Sequence, residues 1–163
     1  MAFTLRSMGE AADITGRSRC QTCGDVVPGV RERGRIRLLA VLCDACWNVQ
    51  ANALAEEEGA TAPPRGDPGP DDTRWIEPPV CPDCGAPIEL YPTNYDRWVR
   101  LATKDQPAKD VPPAHRWRLV TAPGGAERIA VRLRGIVALP SEPVRPAHRA
   151  VCPSPDAGVD PVT

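Results

Sequence analysis

The feature that most constrains this chain is the stretch Arg19 to Cys46, in which two Cys-x-x-Cys pairs, Cys20/Cys23 and Cys43/Cys46, are separated by nineteen residues. That gap holds a two-stranded hairpin and little else. A Cys-x-x-Cys turn presents two thiolates while its backbone amides point at the sulfurs. Two such turns supply the four soft donors that tetrahedral Zn²⁺ takes at about 2.3 Å. The spacing is that of zinc modules, with an iron–sulfur cluster or a redox dithiol as the alternatives. A third pair, Cys81/Cys84, repeats the motif and needs two more donors. The remaining candidates are Cys152, His115 and His148. His148 and Cys152 stand four apart, a separation that can bring both side chains to one ion. The second expected set is therefore Cys81, Cys84, His148 and Cys152, with His115 in the segment PAHRWR as the competitor for the imidazole position. Two Zn²⁺ sites follow.

Composition explains why metal would be needed. The chain of 163 residues has one Phe, two Tyr and four Trp, against twenty Pro. Ordering a backbone costs roughly 1–2 kcal/mol per residue, and few bulky side chains are present to offset it. Structural zinc contributes about 10–16 kcal/mol in small modules. The reading is a small metal-stabilised α+β protein. Six of the seven cysteines lie in Cys-x-x-Cys pairs, which fits metal ligation in a reducing compartment better than a disulfide framework.

The charge balance excludes little by itself. Net charge is −1, and eighteen Arg stand against two Lys, Lys104 and Lys109, a bias that reads as GC-rich coding. The balance gives no reason to expect tight nucleic-acid binding. No apolar run approaches the roughly 20 residues of a membrane span, and MAFTLRSMGEAADITGRS has no signal-like apolar core. A cytoplasmic protein without membrane association is expected.

Along the chain, residues 1–16 read as a flexible N-terminal segment with a short helix over Leu5–Ala12. Residues 17–58 form the first zinc module: a knuckle, a hairpin over Val26–Leu42 turning at Gly34, and a helix from the second knuckle to Glu58. Glu56–Glu58 oppose the helix dipole, so the last turn is expected to fray. In order and spacing this segment resembles a treble-clef zinc finger. Residues 59–79, crowded with Pro, Gly and acids, read as an extended linker. Residues 80–153 carry strand-like runs at Pro87–Tyr91, Arg97–Ala102, Arg116–Thr121, Arg128–Leu133 and Gly135–Leu139, as in a β-rich zinc-ribbon-like domain. Residues 154–163 read as a disordered tail.

The segments CPDCGAPIELYPTNYDRWVRL, VPPAHRWRL and HRAVC make residues 80–153 similar to an uncharacterised family of small cysteine-knuckle domains common in actinobacteria. The shared features are the knuckle, the VPPAHRWRL-like segment and the terminal His-x-x-x-Cys-Pro. The resemblance supports the domain boundary and the ligands and implies no activity.

Arg31, Arg33, Arg35 and Arg37 alternate, and a basic hairpin beside a zinc module can contact DNA or RNA phosphates. Tyr91, Tyr95, Trp98 and Trp117 lie among Arg97, Arg100, Arg116 and Arg118; the favoured reading is a small aromatic core rimmed by arginine stems, not a base-stacking platform. Catalysis has little support. The segment PPVCPDC is similar to the Pro-Cys-x-x-Cys half of a zinc deaminase but has no upstream His-x-Glu, and a catalytic zinc keeps an open position. The expected function is non-catalytic: an adaptor or regulator presenting zinc-stapled surfaces to a protein partner. Nucleic-acid binding through Arg31–Arg37 and thiol or metal sensing are the alternatives.

Overall fold

Short β-branched runs punctuated by Gly and Pro produce short strands, and a single uninterrupted Ala-rich stretch produces a helix. The computed structural model describes residues 18–62, 79–122, 124–125 and 127–154. Among these are eight strands, one α-helix and three 3₁₀ turns. The chain divides into two compact units, residues 1–50 and 51–163. That division falls inside the helix α1 (Asp44–Glu58), whereas composition placed the boundary after Glu58. The expected Leu5–Ala12 helix, most of the expected linker (63–78) and the expected tail beyond 154 lie outside the described residues.

In the first unit β1 (Arg31–Arg33) pairs antiparallel with β2 (Ala40–Leu42), Glu32 facing Val41. The hairpin does not turn at Gly34. Ile36 and Arg37 both take positive φ, 40° and 65°, and the Leu38 amide donates to the Arg35 carbonyl at 3.3 Å. Two successive positive-φ residues give the mirror-image turn whose twist suits a tight hairpin. Gly34 serves a different need: a Cβ there would lie 1.9 Å from the Leu38 carbonyl oxygen, so only glycine lets the strands converge. Leu42 and Trp47 are buried in this unit.

The second unit holds the larger core. β3 (Ile88–Pro92) and β4 (Trp98–Ala102) form one antiparallel pair, with Leu90 opposite Arg100. A four-stranded sheet runs β5 (Gln106–Pro107), β8 (Pro143–Pro146), β6 (Arg116–Thr121), β7 (Arg128–Arg132). Along β4 the period-2 pleat turns Val99 and Leu101 inward and Arg100 outward. Val99 and Leu101 meet Trp117, Ala130 and Ala147 in a buried cluster. Each large side chain there contributes roughly 1.5–3 kcal/mol. Trp117 is fully buried, while Trp98 is only partly so. A second cluster gathers Ala108, Val111, Ala138 and Val144.

Two expectations are corrected here. Gly135–Leu139 is not a strand; its Val137 is 94% exposed, and the chain instead pairs at Pro143–Pro146. That strand was hidden by Pro143 and Pro146, which normally argue against a paired strand. The end of α1 is also held, not frayed. The buried Glu58 carboxylate accepts from Tyr95 Oη at 2.6 Å and Arg134 Nε at 2.6 Å, with Arg132 3.8 Å away. Ala60 N–H donates to the Ala55 carbonyl, and Thr61 and Trp98 exchange backbone hydrogen bonds. Gly59 takes φ 71°, and a Cβ on it would meet the Arg149 guanidinium at 2.7 Å. Arg149 thus brings a cation to a helix end that has no basic residue in its last turn.

Tyr95→Phe removes one donor from a buried carboxylate and is expected to lower the unfolding free energy by about 1–3 kcal/mol. Urea unfolding of the wild-type and variant chains, compared at equal metal content, measures it; a change under a few tenths would show that the hydroxyl is not needed there.

Candidate metal centres

Two knuckles built alike position half of each ligand set. In the first, the Cys20 amide donates to the Asp25 carbonyl and the Gly24 amide to the Cys20 carbonyl, both at 2.9 Å. In the second, the Cys81 amide donates to the Ala86 carbonyl and the Gly85 amide to the Cys81 carbonyl, both at 2.8 Å. The same six-residue pattern, Cys-x-x-Cys-Gly-x, therefore closes the same turn twice.

The first knuckle is tied to the hairpin by Gln21, whose amide donates to the Val41 carbonyl while its Oε1 accepts from the Val41 amide. Cys43 directly follows β2 and precedes α1. The Trp47 amide donates to the Cys43 carbonyl at 3.0 Å, and the Cys46 amide points at Cys43 Sγ at 3.5 Å. Cys43 is thus the N-cap of α1, its sulfur taking the place of the usual oxygen acceptor. Cys46 sits in the first helical turn. In the second set the 3₁₀ turn His148–Ala150 carries His148, is closed by bonds from the Ala150 amide to the Ala147 carbonyl and the Val151 amide to the His148 carbonyl, and is followed directly by Val151 and Cys152. Ala147, just before it, bridges to Leu101 of β4.

The ligand atoms of Cys20, Cys23, Cys43 and Cys46 all lie within 4.8 Å of one another, as do those of Cys81, Cys84, His148 and Cys152. Individual separations are 3.9 Å for Cys23–Cys43, 4.0 Å for Cys81–Cys152 and 3.3 Å for Cys84 Sγ to His148 Nε2. A tetrahedron with metal–sulfur bonds of 2.3 Å has an edge of about 3.8 Å, so both sets fit a single ion each. All seven cysteines are free thiols. His115 is not drawn in: its Nδ1 accepts from Arg149 Nε at 3.3 Å.

The electrostatics separate the thiols of each set. The amide of Cys23, then that of Cys43, lowers Cys20 to about 6. Cys23 feels the opposing Asp25 amide but is pushed up to about 12 by its hydrogen bond with Cys20 and by desolvation. Cys46 is raised, first by Cys43 and then by desolvation. In the second set Cys81 is lowered against its own desolvation by the amides of Asp83 and Cys84. Cys152, despite the Ser154 amide, is raised by desolvation and by its two cysteine neighbours. Crowded thiols cannot all ionise together without a cation to balance them. Burial, followed by the charge of Arg100, lowers His148, which keeps Nε2 neutral and able to ligate.

The four arginines of the hairpin are not a common face. Arg33 is paired with the Asp44 carboxylate and donates to the Gly29 carbonyl at 3.1 Å; its side chain is 9% exposed. Arg31 lies 3.8 Å from the same carboxylate. Arg35 and Arg37 fall in the connection after β1. Among the other arginines Arg97 donates twice to Asn52, and Arg116 donates to the Val111 carbonyl. The Glu58–Tyr95–Arg134 network is not legible in the sequence, because its partners lie 37 and 76 residues from Glu58. No local pattern announces such a contact.

No helix among the described residues is long and apolar enough to cross a membrane. No curated protein and no solved structure matches the chain. A family model described as a family of unknown function, DUF6083, matches residues 69–162. The match includes the second ligand set and leaves the first outside it.

His148→Ala is expected to lower the metal content of the purified chain by one equivalent, and His115→Ala to leave it unchanged; elemental analysis decides. Acidification acts in the same direction. His148 has a depressed value, so the unfolded chain takes up the imidazole proton first, and stability falls as the pH drops below about 6.5. Protons also compete with metal for every thiolate. Metal release on stepping from pH 7 to pH 5, followed with a chromogenic chelator, checks this; full retention at pH 5 would contradict it.

Proposed function

The chain belongs to this DUF6083 family of unknown function, and on the geometry of its two ligand sets we propose that it is a non-catalytic protein held in shape by two Zn²⁺ ions, acting as an adaptor or regulator that docks a protein partner. The observation that carries this is the convergence of two complete sets of four protein donors. Zinc is favoured by soft, tetrahedrally spaced S₄ and S₃N donors. Four protein ligands leave no open position for a substrate, and this supports a structural role for both ions over catalysis. The order of knuckle, hairpin and helix in the first unit supports a treble-clef-like finger. Knuckle, short strands and a closing His148/Cys152 turn support a zinc-ribbon-like second domain.

Within this reading the partner is a protein. Asp44 neutralises Arg33 and stands beside Arg31, which weakens the phosphate-binding alternative at the Arg31, Arg33, Arg35 and Arg37 hairpin. The exposed apolar side chains Leu39 and Val49 of the first unit favour a protein contact over a nucleic-acid one.

A capture experiment tests the adaptor role. Zinc-loaded chain, immobilised and exposed to extract from its own source cells, is expected to retain a discrete partner that the chelator-stripped chain does not. Identical retention by both, or retention that disappears on nuclease treatment, would contradict a zinc-dependent protein contact.

A further inference from the structure

The second centre borders a cavity of about 180 Å³. Three of its four ligand residues, Cys81, His148 and Cys152, form part of the wall. The charged side chains on the wall are Arg100, Arg149 and Asp83, and Val99 and Ala147 contribute apolar surface. Arg149 is already engaged by His115 and lies over Gly59. Arg100 is different. Its exposed side chain projects from the outward face of β4 and makes neither a side-chain hydrogen bond nor an ion pair with another described residue.

The charges decide which ligand such a cavity accepts. Two guanidiniums favour an anion. A divalent ion with three thiolates and a neutral imidazole carries a net charge of −1, and Asp83 adds a second negative neighbour. A dianion therefore meets repulsion that a monoanion largely avoids. A guanidinium presents a planar fork matched to the two oxygens of a carboxylate. The volume admits roughly several waters or an acid of a few carbons, and Val99 with Ala147 suits a short hydrocarbon stub.

We propose that this cavity binds a small carboxylate monoanion through the fork of Arg100, beside a metal that keeps its four protein donors. The proposal rests on the metal-centre reading above. Binding there would couple occupancy by a small organic acid to the closing turn His148–Ala150, since Ala147, His148 and Arg149 all line the cavity.

The test is a titration of the metal-loaded full chain with acetate and, separately, with inorganic phosphate at constant ionic strength, read by amide NMR shifts. Saturable acetate shifts are expected at cavity residues, with phosphate weaker. Arg100→Ala should weaken acetate about tenfold or more, and Arg100→Lys should restore part of the loss. The visible spectrum of the Co²⁺-substituted chain should not change on adding acetate. The proposal is overturned by absent saturation, by equal affinity in Arg100→Ala, by phosphate binding as tightly as acetate, or by a spectrum showing that the anion replaces a protein donor. Metal content measured before any anion is added separates the two failures. A chain with no metal in this set fails the underlying reading, whereas full loading without acetate binding sinks the cavity proposal alone.

Discussion

Eight donor atoms in two tight clusters set the terms for this protein. Thiols brought within 4.8 Å of one another are mutually unfavourable once any of them ionises, and the split between Cys20 and Cys23, lowered and raised respectively, is the sign of it. A divalent cation turns that repulsion into attraction. The fold can then be understood as a means of delivering donors. One knuckle comes from a loop; the other half of the first set comes from the start of α1, and that of the second from the 3₁₀ turn at His148 and the segment just after it. Hydrogen bonds from Gln21 to β2, and the bridge from Ala147 to Leu101, fix the delivery in register.

The apolar contribution is unequal between the two units. The second has Trp117, Leu101, Ile129 and Val99 fully buried, and its buried Glu58, Arg97 and Arg145 side chains are hydrogen-bonded. Arg145 reaches Asp105 at 2.7 Å, Glu89 at 2.5 Å and the Ala102 carbonyl at 3.0 Å, tying the β3–β4 pair to the segment before β5. Glu58 does similar work at the end of α1. Breaking such a pair leaves an uncompensated charge in a poorly solvated place, which costs far more than the pair contributes when intact. The first unit, with Leu42, Trp47, Cys20 and Cys43 as its buried residues of note, has less apolar burial to draw on and would depend more on a bound ion.

What the sequence revealed and what it hid follow from the range of the interactions. Both ligand sets were legible because Cys-x-x-Cys is a local signal and the donor count left few choices; His148 was favoured over His115 by spacing to Cys152 alone. The strands at 116–121 and 128–132 were legible from β-branched and aromatic runs. The hairpin turn was misplaced because Gly34 has the stronger turn preference, while positive φ at Ile36 and Arg37 is imposed by the strands on either side. The strand at Pro143–Pro146 was hidden by its prolines, and Val137 mimicked a strand without a partner. Glu58 looked like a mismatch with the helix dipole because Tyr95, Arg132 and Arg134 approach it only in three dimensions.

The central claim is that metal–thiolate bonds hold the structure, and removal of the metal tests it most directly. Calorimetric melting of the purified chain, before and after exhaustive treatment with a strong chelator under reducing conditions, is the measurement. The account predicts loss of the cooperative transition in the stripped chain and its return when two equivalents of zinc are added back. A stripped chain that still melts cooperatively at the same temperature would contradict it.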